Sequence, residues 1–422
     1  MNLQEYPQGI PECGSDALRF GLLVHVGAGK DINLDVQRVA AYSKFCNKLW
    51  NATRFAFMYI GRSEGTGGHF TPGALPVSLL LHNKTGPRTD LPCLPDAWIL
   101  SRLAEAVELV DQQLKAYQIA AAAETIYTFW YKELCDVYLE AIKPIMQLDG
   151  SSIANAATKH ATQTVLHACL DYGLRLLHPF MPFVTEELYH RLQLLCGEPR
   201  STIMNASYPV PGAITALRSS YAEEAMEILF KVSGSIRSLR AAYLKGPLEK
   251  HAPSVYIVCR NPATAAIVSS QVETICALAK SSKTPPPAAV RLVPEGCAAP
   301  AGCATEILDK DTEVHVLLKG VVDFSKEVAR LNKEYAGVQG RLEKLKGKMS
   351  MESYATKCPA ATQVMRTGQD HTRTRTHTYT RTRTSSSSTQ TTPRDVSPSN
   401  EECIMIGITD GTLFLRGLAL CR

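Results

Sequence analysis

At residues 36–60 the chain reads VQRVAAYSKFCNKLWNATRFAFMYI, and this stretch decides the fold class. Its apolar and small residues recur at spacings of three and four, the period of one helix face. They are Val39, Tyr42, Cys46, Leu49, Trp50, Thr53, Phe57 and Ile60. Asp35 precedes them and suits the N-cap position. The pattern predicts a long amphipathic helix whose apolar face packs against other helices.

The same period returns further along the chain. It predicts helices at about 95–123, 124–143, 157–178 and 185–195. Prolines mark several of their ends, because proline suits a first turn and interrupts a helix interior. Several long amphipathic helices with few strand signals are typical of a helical bundle. The predicted fold class is therefore mainly α.

After Pro211 the pattern changes. A predicted helix at about 219–243 is followed by a strand candidate at 254–259 and a helix at about 263–280. A loop rich in Pro, Ala and Gly at 281–303 leads to a second strand candidate at 313–318. We interpret this region as a small α/β unit.

A heptad pattern follows, with apolar residues alternating in steps of three and four. They are Val321, Phe324, Val328, Leu331, Tyr335, Val338, Leu342, Leu345 and Met349. Residues 326–348 hold seven Lys or Arg and three Glu, a net charge of 7 − 3 = +4. The pattern predicts one basic helix of a coiled-coil arm, which suits either an RNA backbone or a protein partner.

From about residue 366 the chain loses globular character, and Thr alternates with Arg, His and Tyr at 372–384. We expect disorder there, in a basic tail or in a translated non-coding repeat. The predicted organisation has six parts. They are a junction at 1–35, a helical bundle at 36–210, the α/β unit at 211–320, the basic arm at 321–357, a low-complexity segment at 358–402 and an apolar tail of unknown structure at 403–422.

Composition sets further limits. The 422 residues carry a net charge of +5, which permits nucleic-acid binding without demanding it. The 13 cysteines form no Cys-x-x-Cys pair, so we expect reduced thiols and no metal site. The sequence has neither a long apolar run for a membrane span nor the pattern of a secretory signal. We expect a cytoplasmic protein with no membrane and no DNA partner.

Four stretches of the chain resemble the anticodon-binding region of class I aminoacyl-tRNA synthetases, and specifically the cytosolic valyl-tRNA synthetases. The stretches are Asp16–Phe20 (DALRF), Asp31–Asp35 (DINLD) with Phe45–Ala52 (FCNKLWNA), Trp130–Glu140 (WYKELCDVYLE) and His178–Leu188 (HPFMPFVTEEL). The resemblance implies a helical-bundle anticodon-binding domain and a coiled-coil arm. It also implies tRNA(Val) as the partner, in protein synthesis.

The chain departs from that family in its chemistry. The family's His-Ile-Gly-His and Lys-Met-Ser-Lys-Ser motifs are absent from the sequence, and Lys348-Met349-Ser350 lacks the second Lys-Ser. We therefore expect no catalytic residue, no metal and no cofactor in this chain, and no amino-acid activation by it alone. In the family, ATP and Mg belong to the catalytic domain.

The polar side of the 36–60 helix carries the candidate RNA contacts. Cations meet phosphates, and amides pair with base edges. The candidates on this helix are Lys44, Asn47, Lys48, Asn51 and Arg54. The alternative interpretation is a solvated charged face. The arm offers Arg330, Lys333, Arg341 and Lys344 as contacts to the RNA backbone, with a protein–protein coiled coil as the alternative.

Other charged residues receive simpler interpretations. Arg19 contacts tRNA or pairs with an acid at the junction, while Arg102 and Lys115 face solvent. Carboxylates near helix ends are expected in caps and ion pairs rather than in catalysis. These are Asp136, Glu140, Glu186 and Glu187.

Two alternatives to a synthetase region stay open from the sequence. One is a free-standing tRNA-binding or regulatory protein. The other is a coiled-coil scaffold in a multiprotein complex. The arm could also join other translation-factor or synthetase subunits.

Overall fold

The computed structural model describes residues 12–26, 36–61, 69–75, 93–148, 152–244, 253–279, 290–293, 302–319 and 335–344, with a few isolated positions and Leu418–Ala419. Contacts along the chain define two compact units. The first holds residues 1–234 and 261–286, and the second holds 235–260 and 287–422. Each unit has its own core.

The first unit is built from helices, as the 3.6-residue period predicts. The α-helices in chain order are α1 Ser15–Leu23, α2 Val36–Ile60, α3 Leu94–Lys115, α4 Ile119–Tyr127, α5 Leu139–Ala141, α6 Lys143–Met146, α7 Ile153–Leu177, α8 Pro182–Leu195, α9 Pro211–Ile214, α10 Ser220–Tyr243, α11 Pro262–Ser270 and α12 Val272–Ala279. A π-helical segment Thr128–Tyr138 joins α4 to α5, and 3₁₀ turns lie at Ile203–Asn205 and Thr215–Leu217. Residues 235–243 of α10 belong to the second unit. The mainly α prediction is confirmed for this unit.

The predicted helix at 95–123 is two helices. Tyr117 adopts a left-handed backbone with φ 57°, and α3 ends just before it. The N–H of Gln118 donates to Gln113 O at 2.8 Å, and the N–H of Tyr117 donates to Leu114 O at 3.0 Å. This pair of hydrogen bonds is the Schellman ending, which usually places glycine where Tyr117 stands. The prediction was wrong because the sequence has no glycine at that turn.

The π-helical segment follows α4 without a break and lies in the centre of the core. Its Trp130, Leu134 and Tyr138 side chains are fully buried. Trp130 Nε1 donates to the carbonyl of Gly173 at 3.0 Å, so the segment is tied to α7. A Cβ at Gly173 would lie 3.0 Å from the Trp130 ring. Only glycine therefore permits this close approach without a shift.

One buried carboxylate links three elements of the bundle. Asp96 of α3 accepts hydrogen bonds from Tyr138 Oη at 2.6 Å and from Thr162 Oγ1 at 2.7 Å. Burial raises the pKa of Asp96, and the two hydrogen bonds oppose that rise. A buried polar group is tolerated when its hydrogen bonds are made, so this cluster holds α3, the π-helical segment and α7 in one arrangement.

The second unit contains a five-stranded sheet. Its strands are β1 Val255–Cys259, β2 Val290–Val293, β3 Cys303–Ile307, β4 Thr312–Leu317 and β5 Leu418–Ala419. Their order is β2-β1-β4-β3-β5, and only the β1–β2 pair is parallel. Ile257 lies opposite Val314, and both are fully buried. Alternate burial along β1 places one face of that strand in the core.

The two predicted strands are present as β1 and β4, but β2 and β3 were missed. The four residues of β2 lie inside the region predicted as a loop. Four residues are too few for an alternating pattern to be recognised in the sequence. They form a strand because they pair with β1. The predicted helix at 263–280 is likewise broken at Gln271 into α11 and α12. The low-complexity segment and most of the heptad pattern lie outside the described residues.

Candidate nucleic-acid interface

The polar face of α2 is held outward by its opposite face. Phe45, Leu49 and Thr53 are buried in the bundle. The side chains of four of the predicted RNA contacts are exposed, namely Lys44, Asn47, Asn51 and Arg54. Within the part of the chain that the structure describes, none of these four has a hydrogen-bond or ion-pair partner. The helix thus presents two cations and two amides whose polar groups are open to a ligand.

Lys48 has a different environment from those four residues. Its Nζ lies 2.6 Å from Asp136 Oδ1 and 3.1 Å from the centroid of the Tyr131 ring. Burial lowers the pKa of Lys48, but the hydrogen bond and charge of Asp136 outweigh it, and the net pKa is raised. Lys48 is therefore a protonated, paired residue between α2 and the π-helical segment, whereas the sequence placed it among open cations.

The partners of Lys48 both come from the π-helical segment and are five positions apart. The i→i+5 hydrogen bonds of a π-helix bring residues at that spacing onto one side. In an α-helix they would diverge, so sequence reasoning had no signal that Tyr131 and Asp136 act together. Tyr131 also stacks on Tyr127, with ring centroids 5.2 Å apart. These aromatic rings border the polar face of α2.

The Asp16–Phe20 motif fastens α1 to the bundle. The carboxylate of Asp16 accepts the backbone N–H groups of Phe183 and Val184 at the start of α8. Phe20 is fully buried, with its ring centroid 5.5 Å from that of Phe45. Arg19 is exposed and donates to the carbonyl of Pro179 at 3.0 Å, so its observed partner is a carbonyl and not an acid.

Among the arm candidates, Lys333, Arg341 and Lys344 are exposed, and residues 335–344 are helical. Arg341 Nε donates to Gly337 O at 3.2 Å, a contact within its own helix that leaves the guanidinium exposed. Arg330 lies outside the described residues. The described part of the arm thus offers cations along a helix.

The sequence suggested that Arg102 faces solvent, and the structure shows that it does not. It is half-buried, forms an ion pair with Glu105, and its Nη2 lies 2.7 Å from Glu133 Oε1. The π-helical segment supplies Glu133, which explains why the partner was missed. Lys115 is exposed as predicted and pairs with Asp111 at 2.7 Å.

The four carboxylates that we expected in caps and ion pairs lie in such contacts. Asp136 pairs with Lys48, Glu140 with Lys143 and Glu187 with Arg191. Glu186 accepts from Thr202 Oγ1 and from the N–H of Ile203, each at 3.0 Å. Among the described residues no group of three or more His, Cys, Asp or Glu is placed to hold a metal ion, and no helix is long and apolar enough to cross a membrane.

Two protein-family models match the chain. The family described as the anticodon-binding domain of tRNA ligase matches residues 96–254. The family described as the valyl tRNA synthetase tRNA binding arm matches residues 323–372. The first match contains most of the helical bundle, and the second contains the basic arm residues.

Curated relatives agree with these matches. The chain is 38% identical over 359 residues to a valine–tRNA ligase of Mus musculus and to one of Homo sapiens, which is 85% of the chain and 26% of each relative. It is 35% identical over 358 residues to a valine–tRNA ligase of Caenorhabditis elegans, which is 84% of the chain and 32% of that relative. The chain spans about a quarter of the length of the first two. By its bundle, its arm and these relatives, it belongs to the valine–tRNA ligase family, as the region that carries the anticodon-binding domain and the tRNA-binding arm.

Proposed function

We propose that this chain is the tRNA-binding part of a valine–tRNA ligase and that the exposed face of α2 contacts tRNA(Val). One observation carries the proposal. Lys44, Asn47, Asn51 and Arg54 share one exposed helix face and have no partner among the described residues. Lys48, which borders the same face, is instead paired with Asp136.

The chemistry of this face suits a folded RNA loop. Lys44 and Arg54 supply charge for phosphates, and the amides of Asn47 and Asn51 each have donors and an acceptor for base edges. RNA sequence is read mainly where bases are unstacked, as in a loop. A rigid helix that displays both kinds of group therefore suits an anticodon stem and loop better than a double helix.

The arm has a separate role in this proposal. Lys333, Arg341 and Lys344 are exposed cations on a helical segment, and Arg330 belongs to the same basic pattern. Such a surface binds RNA through its backbone and shape without reading sequence. We assign it to the body of the tRNA, away from the anticodon.

The test is titration of the purified chain with a tRNA(Val) transcript and a non-cognate transcript at several salt concentrations. Lys44→Ala and Arg54→Ala should weaken binding to both transcripts, and each should reduce the salt slope by about one counterion. Asn47→Ala and Asn51→Ala should mainly reduce discrimination between the transcripts, by about 1–3 kcal/mol if the readout energies of DNA apply.

Lys231→Ala is the matched control, because Lys231 lies on α10 and its side chain is 60% exposed. This variant should bind like the unchanged chain. If all four α2 variants keep wild-type affinity and discrimination while their circular dichroism is unchanged, the α2 face is only solvated and the proposal fails.

The activity of the whole protein is part of the proposal. A valine–tRNA ligase joins valine to tRNA using ATP, and ATP and Mg would be held by a catalytic domain with the motifs that this sequence lacks. We propose that this chain positions tRNA and does not activate valine. Valine-dependent pyrophosphate exchange clearly above a no-protein control would contradict that.

We further propose a cytoplasmic location and contacts of the arm with other synthetase or translation-factor subunits. Affinity capture with and without ribonuclease separates the two uses of the arm. Partners that disappear after ribonuclease treatment are held by RNA, whereas partners that persist favour a protein-binding scaffold.

A further inference from the structure

A pocket of about 340 Å³ opens where the beginning of α1, the middle of α2 and the first turn of α8 meet. Its size is within the range of small-molecule sites, about 300–1,000 Å³. Asn47, one of the four open residues on α2, forms part of its wall. The pocket is thus continuous with the proposed RNA surface.

An exposed aromatic ring forms another part of this wall. The side chain of Phe183 is 66% exposed although it lines a concave site. Its backbone N–H is held by Asp16 Oδ1 at 3.2 Å, so the residue is fixed at the first turn of α8. An aromatic face that is held in place and left exposed is suited to stacking with a flat ligand.

The polar groups of the pocket match the edge of a heterocycle. Asn47 offers donors and an acceptor, and none of them is used within the described part of the chain. Ser43 Oγ donates to Ala40 O at 2.7 Å, which leaves the lone pairs of its oxygen for a donor on the ligand. A nucleobase presents this mixture of donors and acceptors around a flat ring.

A phosphate is a poor fit for the same pocket. No Lys or Arg is among the residues that line the pocket. The buried side chain of Asp16, which carries a carboxylate, is one of the lining residues. Both oxygens of that carboxylate accept N–H groups of α8, and the charge nevertheless disfavours an anion nearby. The pocket therefore suits a neutral flat ring better than a free anion.

We propose that this pocket receives one unstacked base of the tRNA that lies on α2, with the base stacked on Phe183 and its edge paired with Asn47. The inference rests on the proposed function, because it names a second contact of the same RNA. It makes Phe183 a residue that binds RNA without contributing any charge.

The test measures the affinity of Phe183→Ala for the tRNA(Val) transcript. We expect about tenfold weaker binding, because losing one base–aromatic stack has a cost of that order. The salt slope should stay unchanged, because stacking releases no counterion. Phe183→Trp keeps an aromatic face and should retain binding. Leu194→Ala is the control, since Leu194 is a 52% exposed apolar residue of the same helix outside the pocket.

Cysteine protection gives a second readout on the unchanged chain. Cys13 and Cys46 both line the pocket. Burial raises the pKa of Cys46 to about 11, which makes its thiol slow to react, so Cys13 is the reporter. Saturating tRNA(Val) transcript should slow the alkylation of Cys13 by N-ethylmaleimide, followed by peptide mass spectrometry. The alkylation rate of Cys13 without RNA is the reference, because burial also raises the pKa of Cys196 to about 11 and makes that thiol as slow to react as Cys46.

The outcomes separate this inference from the proposed function. If the unchanged chain binds no tRNA, the proposed function fails and the inference fails with it. If the chain binds tRNA but Phe183→Ala binds equally well, the pocket inference alone is overturned. Equal alkylation of Cys13 with and without saturating RNA also overturns it. A change in self-association of Phe183→Ala at unchanged RNA affinity would make the pocket a protein-docking site instead.

Discussion

The carboxylate of Asp16 accepts the backbone N–H of Val184 at 2.7 Å, although the two residues are 168 positions apart. Asp16 thus supplies the beginning of α8 with a cap that the sequence around α8 does not provide. Met181 precedes that helix and makes no side-chain cap, so the cap is a tertiary contact. Through it, α1 fixes the part of α8 that carries Phe183.

Asp16→Ala should therefore destabilise the first unit. The N–H groups of Phe183 and Val184 would lose their acceptor in a partly buried place. Loss of a cap costs about 0.5–2 kcal/mol, and we expect the upper part of that range because Asp16 is buried. Urea unfolding measures the change. Ser15→Ala is the control, because Ser15 is exposed and the N-cap position of α1 is occupied by Gly14. An equal loss of stability in both variants would contradict this account.

Gly173→Ala should be destabilising by about 1–3 kcal/mol, the usual cost of overpacking. The new methyl group would meet the fully buried ring of Trp130 at 3.0 Å. The ring cannot move away freely because its Nε1 is hydrogen-bonded to the carbonyl of Gly173. The thermal midpoint, followed by tryptophan fluorescence, measures the effect.

Gly234→Ala provides the contrast. Gly234 lies inside α10, and a Cβ there would meet nothing within 4 Å. Alanine in a helix interior is favoured over glycine by about 0.5–1 kcal/mol, so this variant should be slightly more stable than the unchanged chain. Equal destabilisation by both substitutions would show that the close packing at Gly173 is not the cause.

The buried Asp96 should give the first unit a dependence on pH. Burial raises its pKa in the folded chain against the effect of Tyr138 and Thr162, so the folded chain holds the proton more tightly than the unfolded chain. The stability that this provides is complete below the unfolded pKa, about 3.9, and is lost as the pH rises through the higher folded value. Asp96→Asn cannot ionise. The free energy of unfolding of the unchanged chain, minus that of the variant, should therefore fall as the pH rises from about 4.

Urea titrations of both proteins at a series of pH values measure this difference. A difference that is constant or that grows with pH would show that Asp96 does not titrate as described. Thr162→Val should separately lower stability at neutral pH, because it removes one of the two hydroxyl donors from the buried carboxylate.

Asp136→Asn should strengthen RNA binding instead of weakening it. The substitution removes the charge that neutralises Lys48, so a cation beside the α2 face becomes available to phosphates. We expect tighter binding to cognate and non-cognate tRNA alike and a salt slope steeper by about one counterion. Stability should change by at most about 1 kcal/mol, because the pair is partly exposed. Asp111→Asn, which frees Lys115 on α3, is the matched control; a similar gain from it would point to net charge alone.

The elements whose apolar residues follow a regular pattern were predictable from the sequence. α2 has the bounds that its apolar pattern gives, and β1 and β4 follow from short apolar stretches between turn residues. The four exposed candidates on α2 followed from the same pattern, because burying one side of a helix determines the side that stays outside. Their contact with RNA remains a prediction.

The features that sequence reasoning missed depend on contacts between distant residues. The break at Tyr117 uses a residue that is uncommon in the left-handed region, so no local signal marks it. The pairing of Lys48 joins residues 88 positions apart, and the pocket draws its walls from three helices. The spacing of apolar residues describes one helix or strand at a time. It carries no information on which elements pack against one another.

The π-helical segment determines which changes of length the bundle can tolerate. Its eleven residues are fixed near one end by the hydrogen bond of Trp130 to Gly173 and at the other by that of Tyr138 to Asp96. A π turn holds more residues than an α turn over a similar rise, so deleting one residue between these anchors would restore an ordinary turn and rotate the later side chains out of phase. A point substitution on the outer surface of the segment does not change the direction in which the later side chains point. In this segment the number of residues is a stricter constraint than the identity of most of them.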